Sequence, residues 1–155
     1  MRLQAMSSEE TRKQFDQELI RLIDIASCGD KAAKDYLLDI AFIARKVDDL
    51  FDQDHPVYST EIIQCISSLL ITIPNNSFYK KHRAALDAQQ VVAWNAWEDA
   101  NFLSKSESKD HQMKSKVLCE YVNEFIPLVA FLSSGYDLMK TVSMDMRVSL
   151  IQGDE

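Results

Sequence analysis

The chain has 155 residues, 46% of them hydrophobic and 26% charged, with only three glycines and three prolines. These proportions exclude collagen-like, low-complexity and disordered chains, and so few chain breakers argue against a fold of many hairpins. The net charge of -7, from 24 acidic against 17 basic residues, argues against duplex nucleic acid as a partner, because neutralising phosphates needs a surplus of lysine and arginine.

A chain of this length can bury its own core, so one domain over 1–155 is expected, with fraying at 1–6 and 153–155. Ser7 or Ser8 with Glu10 or Thr11 marks a helix start, and Phe15, Leu19, Leu22, Ile23 and Ala26 follow at helical spacing until Gly29. Asp30 is placed to cap a second helix, in which Tyr36, Leu37, Ile40, Ile43, Ala44, Val47, Leu50 and Phe51 form one apolar stripe. It ends near Asp52, since His55 precedes Pro56 and is pushed out of the helical region. Ser59 or Thr60 with Glu61 opens a third helix through Ile62, Ile63, Ile66, Leu69 and Leu70, whose β-branched content leaves a strand open as the alternative.

Pro74, Asn75, Asn76 and Ser77 read as a turn, with Ser77 capping a long fourth helix from Phe78 to about Leu103. On it Tyr79, His82, Leu86, Gln90, Ala93, Trp97 and Ala100 share a face, and the aromatic residues Trp94, Trp97, Phe102, Tyr121 and Phe125 are expected in the core. A mobile polar loop is expected at 104–110. The fifth helix carries Val117, Leu118, Tyr121, Val122, Phe125, Leu128, Val129 and Leu132, and Pro127 predicts a kink near Asn123 to Pro127. Gly135 caps it, and a last helix runs from about Tyr136 to Gln152 with Leu138, Met139, Val142, Met146 and Leu150 inward. The expected fold is all-α, a single-domain bundle of about six helices with a kinked fifth helix.

Cys28, Cys65 and Cys119 are odd in number and show no CxxC spacing, so buried free thiols in a reducing cytoplasm are expected. No signal peptide is legible after Arg2, and apolar runs such as Phe125 to Leu132 fall short of the roughly 20 residues that cross a bilayer. The expectation is a protein of the bacterial cytoplasm with no membrane partner. Lys80, Lys81, His82 and Arg83 form the one local basic patch, read as a solvated face, with His82 at the boundary of the core.

The chemistry candidates are few. Asp48, Asp49, Asp52 and Asp54 crowd four carboxylates into seven positions at the end of the second helix. There they face the negative pole of the helix dipole and each other, so local stability does not explain them. Asp48 and Asp52 lie one turn apart beside the apolar stripe, and Asp49 is expected to point outward. Hard oxygen ligands at this spacing suit Mg²⁺ or Mn²⁺, and the alternative is a solvated acidic helix end. Asn95, Glu98 and Asn101, with Asp99 beside them, drift along one side of the fourth helix, where a solvated face is the favoured reading and completion of such a site, if the two helices are neighbours, the alternative. Glu120 and Glu124, one turn apart, are further contributors. No GxSxG, Gly-rich phosphate loop or HExxH supports a nucleophile or a zinc hydrolase.

The DDxxD spacing of Asp48 to Asp52 resembles the metal motif of isoprenoid diphosphate synthases. The chain is about half the length such enzymes need and lacks a second aspartate-rich motif, which excludes that assignment. The paired carboxylates also resemble those of helical nucleotide pyrophosphohydrolases, but their ExxE spacing is absent, since Glu120 and Glu124 are four residues apart. A wider resemblance spans roughly residues 36–148. Ala41-Phe42-Ile43, Val47-Asp48-Asp49-Leu50-Phe51-Asp52-Gln53-Asp54, Ile73-Pro74-Asn75-Asn76-Ser77-Phe78-Tyr79, Trp97-Glu98-Asp99-Ala100, Tyr121-Val122 and Ser134-Gly135 are similar to a family of small helical proteins of tailed bacteriophages and prophages. The chain departs from that family at Gln53, where glycine is usual, and at Ser104, near a usual glutamate. The resemblance implies no activity.

Two functional expectations follow. The first is a phage-encoded interaction protein, either a virion component or an accessory factor, that binds a phage or host protein or its own copies. The second is a small Mg²⁺-dependent phosphoanhydride hydrolase, with Asp48, Asp49 and Asp52 on the metal and Asp54 or Glu98 positioning water. The first is favoured, because no second catalytic component is legible.

Overall fold

Side-chain and left-handed caps set several of the helix boundaries. The structure, a computed structural model, describes residues 8–53 and 55–150. The expected fraying at 1–6 and 153–155, and Asp54, lie outside the described residues. α1 (Ser8–Ser27) ends in two successive left-handed residues, Cys28 at φ 50° and Gly29 at φ 81°. Asp30 then caps α2 (Lys31–Asp52) as expected, its carboxylate accepting from the Ala32 and Ala33 amides at 2.8 and 3.2 Å. Two of the orphan donors at that helix start are thereby satisfied. Gln53, at φ 57°, closes α2 with its N–H on the Asp49 carbonyl at 3.1 Å.

α3 (Ser59–Ser67) is helix, not strand, and opens with the Tyr58 amide donating to Glu61 Oε2 at 2.9 Å. It runs on without a break through a π turn (Ser68–Thr72) into a last turn, α4 (Ile73–Asn75). The expected turn at Pro74 is therefore corrected. Pro74 falls at the second position of α4, just after the wider π turn, where its missing N–H is tolerated. The cap is also Asn76 and not Ser77: Asn76 Oδ1 accepts from the Tyr79 amide at 3.0 Å, and its Nδ2 donates to the Ala32 carbonyl at 2.8 Å. Ser77 is already inside α5 (Ser77–Ser104), which bends at His82 (φ −115°, ψ 20°), a break the sequence did not announce.

The polar loop is shorter than expected, because α5 and α6 (Lys109–Cys119) close in on four residues between them. Ser106 ties that turn: its hydroxyl accepts from the Ser108 amide and its carbonyl from Gln112 Nε2. The expected kink of the next helix takes the form of a 3₁₀ turn (Glu120–Glu124) ahead of α7 (Phe125–Ser134). Pro127 is the third residue of α7, in a first turn whose amides have few carbonyls to reach. Gly135, at φ 91°, joins α7 to α8 (Tyr136–Ser149), which ends where Leu150 turns extended (ψ 92°), short of the expected Gln152, itself outside the described residues.

The described residues thus form an all-α bundle of six continuous helical runs, with no strand among them. Leu22, Ile23 and Ala26 of α1, Tyr36, Leu37, Ile40 and Ile43 of α2, and Val142 and Met146 of α8 meet Phe125, Ile126, Val129 and Ala130 of α7 in one core. Tyr36 stacks on Tyr79 with centroids 5.9 Å apart and meets the Phe125 edge at 6.3 Å. Arg21 locks α1 to α8 through a two-pronged pair with Asp145, both contacts 2.8 Å. The run Lys109–Ser134 is long and apolar enough by length and composition to cross a membrane, which no run read from the sequence was. Its α7 half packs against α1 and α8 and supplies the centre of this core.

Candidate functional site

The acidic end of α2 divides its carboxylates between two environments. Asp49 does not point outward: it is 3% exposed, and its carboxylate takes a bidentate pair from Arg12 at 3.0 and 3.1 Å. Lys46 Nζ stands 3.6 Å away and His55 Nδ1 3.8 Å away. A buried carboxylate is tolerated only when charge and hydrogen bonds replace water, and the Arg12 guanidinium with the Lys46 ammonium does so here. Asp48 lies on the other side of the helix, half-buried. Burial first, then repulsion from Asp52, raises its carboxyl above the ordinary aspartate range, with Arg45 and the Trp97 indole N–H pulling it back. The same two aspartates help burial push the Cys119 thiol up.

α2 and α5 are neighbours at this end, where the Phe51 ring meets Trp97 edge-on with centroids 4.6 Å apart. The polar set of α5 makes its side-chain bonds within its own helix or faces solvent. Asn95 Nδ2 donates to Asp99, Asn101 Nδ2 donates to the Trp97 carbonyl, and Glu98 is exposed. Glu124 pairs with Arg147 at 2.9 Å, beside a groove of about 630 Å³ between the 3₁₀ turn, α7 and α8 that Glu120 also lines. Among the described residues no group of three or more His, Cys, Asp or Glu side chains gathers as a metal site. A hard cation at this helix end would have to draw on Asp48 and Asp52, because Asp49 is already engaged.

A different feature stands out on α3, which lies antiparallel along α2 with its polarity inverted. The inward stripe of α3 and of the π turn that continues it is Glu61, Cys65 and Ser68, spaced four and three residues apart. Lys46 Nζ holds Glu61 Oε1 at 2.8 Å, and the Ser68 hydroxyl donates to Asp39 Oδ1 at 3.1 Å. Lys46, together with the Tyr58 amide, lowers the Glu61 carboxyl, whereas burial raises that of Asp39. No residue of α3 itself is buried, and in the turns that continue it only Ser68 and Ile73 are. The outward side instead carries Ile62, Ile63, Ile66, Leu69, Leu70 and Ile71, with Ile63 61% and Leu70 72% exposed. A surface helix ordinarily buries its apolar stripe and shows water its polar one. The sequence listed these residues as a helix and gave no sign of the inversion, because the groups that hold the polar side, Asp39 and Lys46, belong to another helix.

Other expected assignments also shift. Cys28 is exposed and not buried, since the helix has turned left-handed there; Cys65 and Cys119 are partly buried. Of the aromatic residues expected in the core only Phe125 is buried: Trp94 and Trp97 are partly covered, Tyr121 is exposed and Phe102 is 79% exposed. His82 rests against the Phe78 ring, centroids 4.7 Å apart, and burial with the Lys81 charge lowers its pKa. Arg83, in the same basic stretch, pairs with Asp87 at 3.2 Å. Comparison with known proteins found no matching family model, no similar curated protein and no similar solved structure.

Proposed function

We propose that this chain is a helical interaction protein, of the kind that tailed phages and prophages encode as virion components or accessory factors, and that it docks a protein partner through the outward face of α3. The observation that carries the reading is the inversion of α3. Six large aliphatic side chains face water along α3 and its π turn, a run held to α2 by an ion pair and a hydroxyl and to the core by Cys65 and Ile73. Contiguous apolar patches above a few hundred Å² are uncommon on monomers and mark interaction sites. The π turn that carries the last three of these side chains adds support, because such turns concentrate at functional positions. The phage setting rests on the sequence resemblance alone.

The hydrolase reading has no comparable support, since Asp49 is committed to Arg12 and Glu98 stands exposed on α5. The test is co-purification of tagged wild type and Leu70→Asp from infected or lysogenic bacteria. A partner retained by wild type and lost by the variant is expected. A partner retained equally by both would refute the assignment to α3.

A further inference from the structure

The occupant of this face can be named from its size and charge. We infer that the α3 face is covered by a second copy of the chain, with two α3 helices meeting antiparallel about a two-fold axis. The inference rests on the reading of α3 as a docking surface and specifies its partner.

Size is the first argument. Ile62, Ile63, Ile66, Leu69, Leu70 and Ile71 are 38 to 72% exposed, which amounts to an apolar patch on the order of 600 Å². Tyr58, 65% exposed one turn before it, brings the face close to the roughly 800 Å² per partner that a specific interface buries.

Charge is the second. From Ile62 to Tyr79 the chain runs 18 residues without a charged side chain, in a protein of net charge -7. Two copies of like charge repel over most of their surfaces, and a charge-free face is where they can meet without that cost. A partner chosen by electrostatic complementarity would find nothing to read there.

Symmetry makes the arrangement specific. A two-fold contact pairs residue i with j and j with i, so the patch must be complementary to itself. An axis passing between Ile66 and Ser67 sets Ile63 of one copy against Leu70 of the other, two residues that seven positions of helix put on the same face. Large aliphatic residues then face large aliphatic residues at both ends, with the small Ser67 near the crossing point.

Sedimentation velocity on the purified chain, from about 1 to about 200 µM, tests this, with circular dichroism reporting that each variant is folded. Wild type is expected to sediment at twice the chain mass, and Ile63→Lys and Leu70→Asp, each alone, to weaken the dimer by about tenfold or more. Because Ile63 faces Leu70, mixing the two variants should restore a heterodimer through the new Lys–Asp pair. Wild type that stays monomeric across the range, or Leu70→Asp that stays dimeric, overturns the inference. Failure of the mixture to recover rejects the antiparallel register. A monomeric wild type whose cellular partner is still lost in Leu70→Asp would sink the dimer and leave the interaction reading standing.

Discussion

The Ser68 hydroxyl donates to Asp39 Oδ1 at 3.1 Å, and seven residues earlier on α3 Glu61 meets Lys46, seven residues later on α2. Matched spacings on antiparallel helices make this a two-point polar clamp. Removing the buried Ser68 hydroxyl strips the Asp39 carboxylate of a donor, so Ser68→Ala is expected to cost about 1 kcal/mol, read by urea denaturation. Amide protection over 62–70 should fall more than protection in α2.

The other half of the clamp is sensitive to acid. Glu61 has a folded pKa below its unfolded value, so its contribution is present above the ordinary glutamate range of about 4.3 and is lost as pH falls through the lower folded value. Protection factors in α3, corrected for intrinsic exchange, should drop in that acid window in wild type. In Glu61→Gln they should be lower at neutral pH and flat through it.

Asp49 gives the largest expected loss. Arg12→Met leaves a buried carboxylate with Lys46 and His55 but without its bidentate partner. Breaking a buried pair from one side costs about 3 kcal/mol, and thermal or urea unfolding should show it. A cost near zero would mean that water reaches Asp49.

Asp48 is expected to respond in the opposite sense. Its folded pKa is raised, so its favourable contribution exists in acid and disappears as pH rises through the raised value. At neutral pH the half-buried charge opposes folding. Asp48→Asn should therefore raise the melting temperature at pH 7, and the gain should shrink on acidification toward the ordinary aspartate range of about 3.9.

Gln53 occupies the left-handed position that closes α2 (φ 57°, ψ 21°). A side chain there costs about 1 to 2 kcal/mol, against about 0.5 to 1 kcal/mol of extra chain entropy for glycine. Gln53→Gly is thus expected to stabilise by about 0.5 to 1 kcal/mol in chemical denaturation.

What the sequence disclosed depends on how local each determinant is. Asp30 was legible as a cap because its acceptors' donors lie two and three residues away, and Leu22, Ile40, Leu86 and Val142 were legible because helical spacing alone puts them inward. Asn76 displaced Ser77 as a cap for a non-local reason: the Asn76 amide also reaches the Ala32 carbonyl, 44 residues away. Asp49 read as outward because its position on the helix was known while Arg12, 37 residues earlier, was not. The inversion of α3 is the extreme case. Ile63 and Leu70 carry the usual mark of a buried face, and only the docking of Glu61 and Ser68 onto α2 turns that face to the solvent.

The central claim is that the outward face of α3 contacts protein, and site-specific photocrosslinking reads it most directly. A photoreactive residue placed at Ile63 or at Leu70 in the producing cell should yield a covalent adduct of defined mass, while the same residue at the exposed Lys109 yields none. Adducts absent from both α3 positions, or formed equally well from Lys109, would contradict the account.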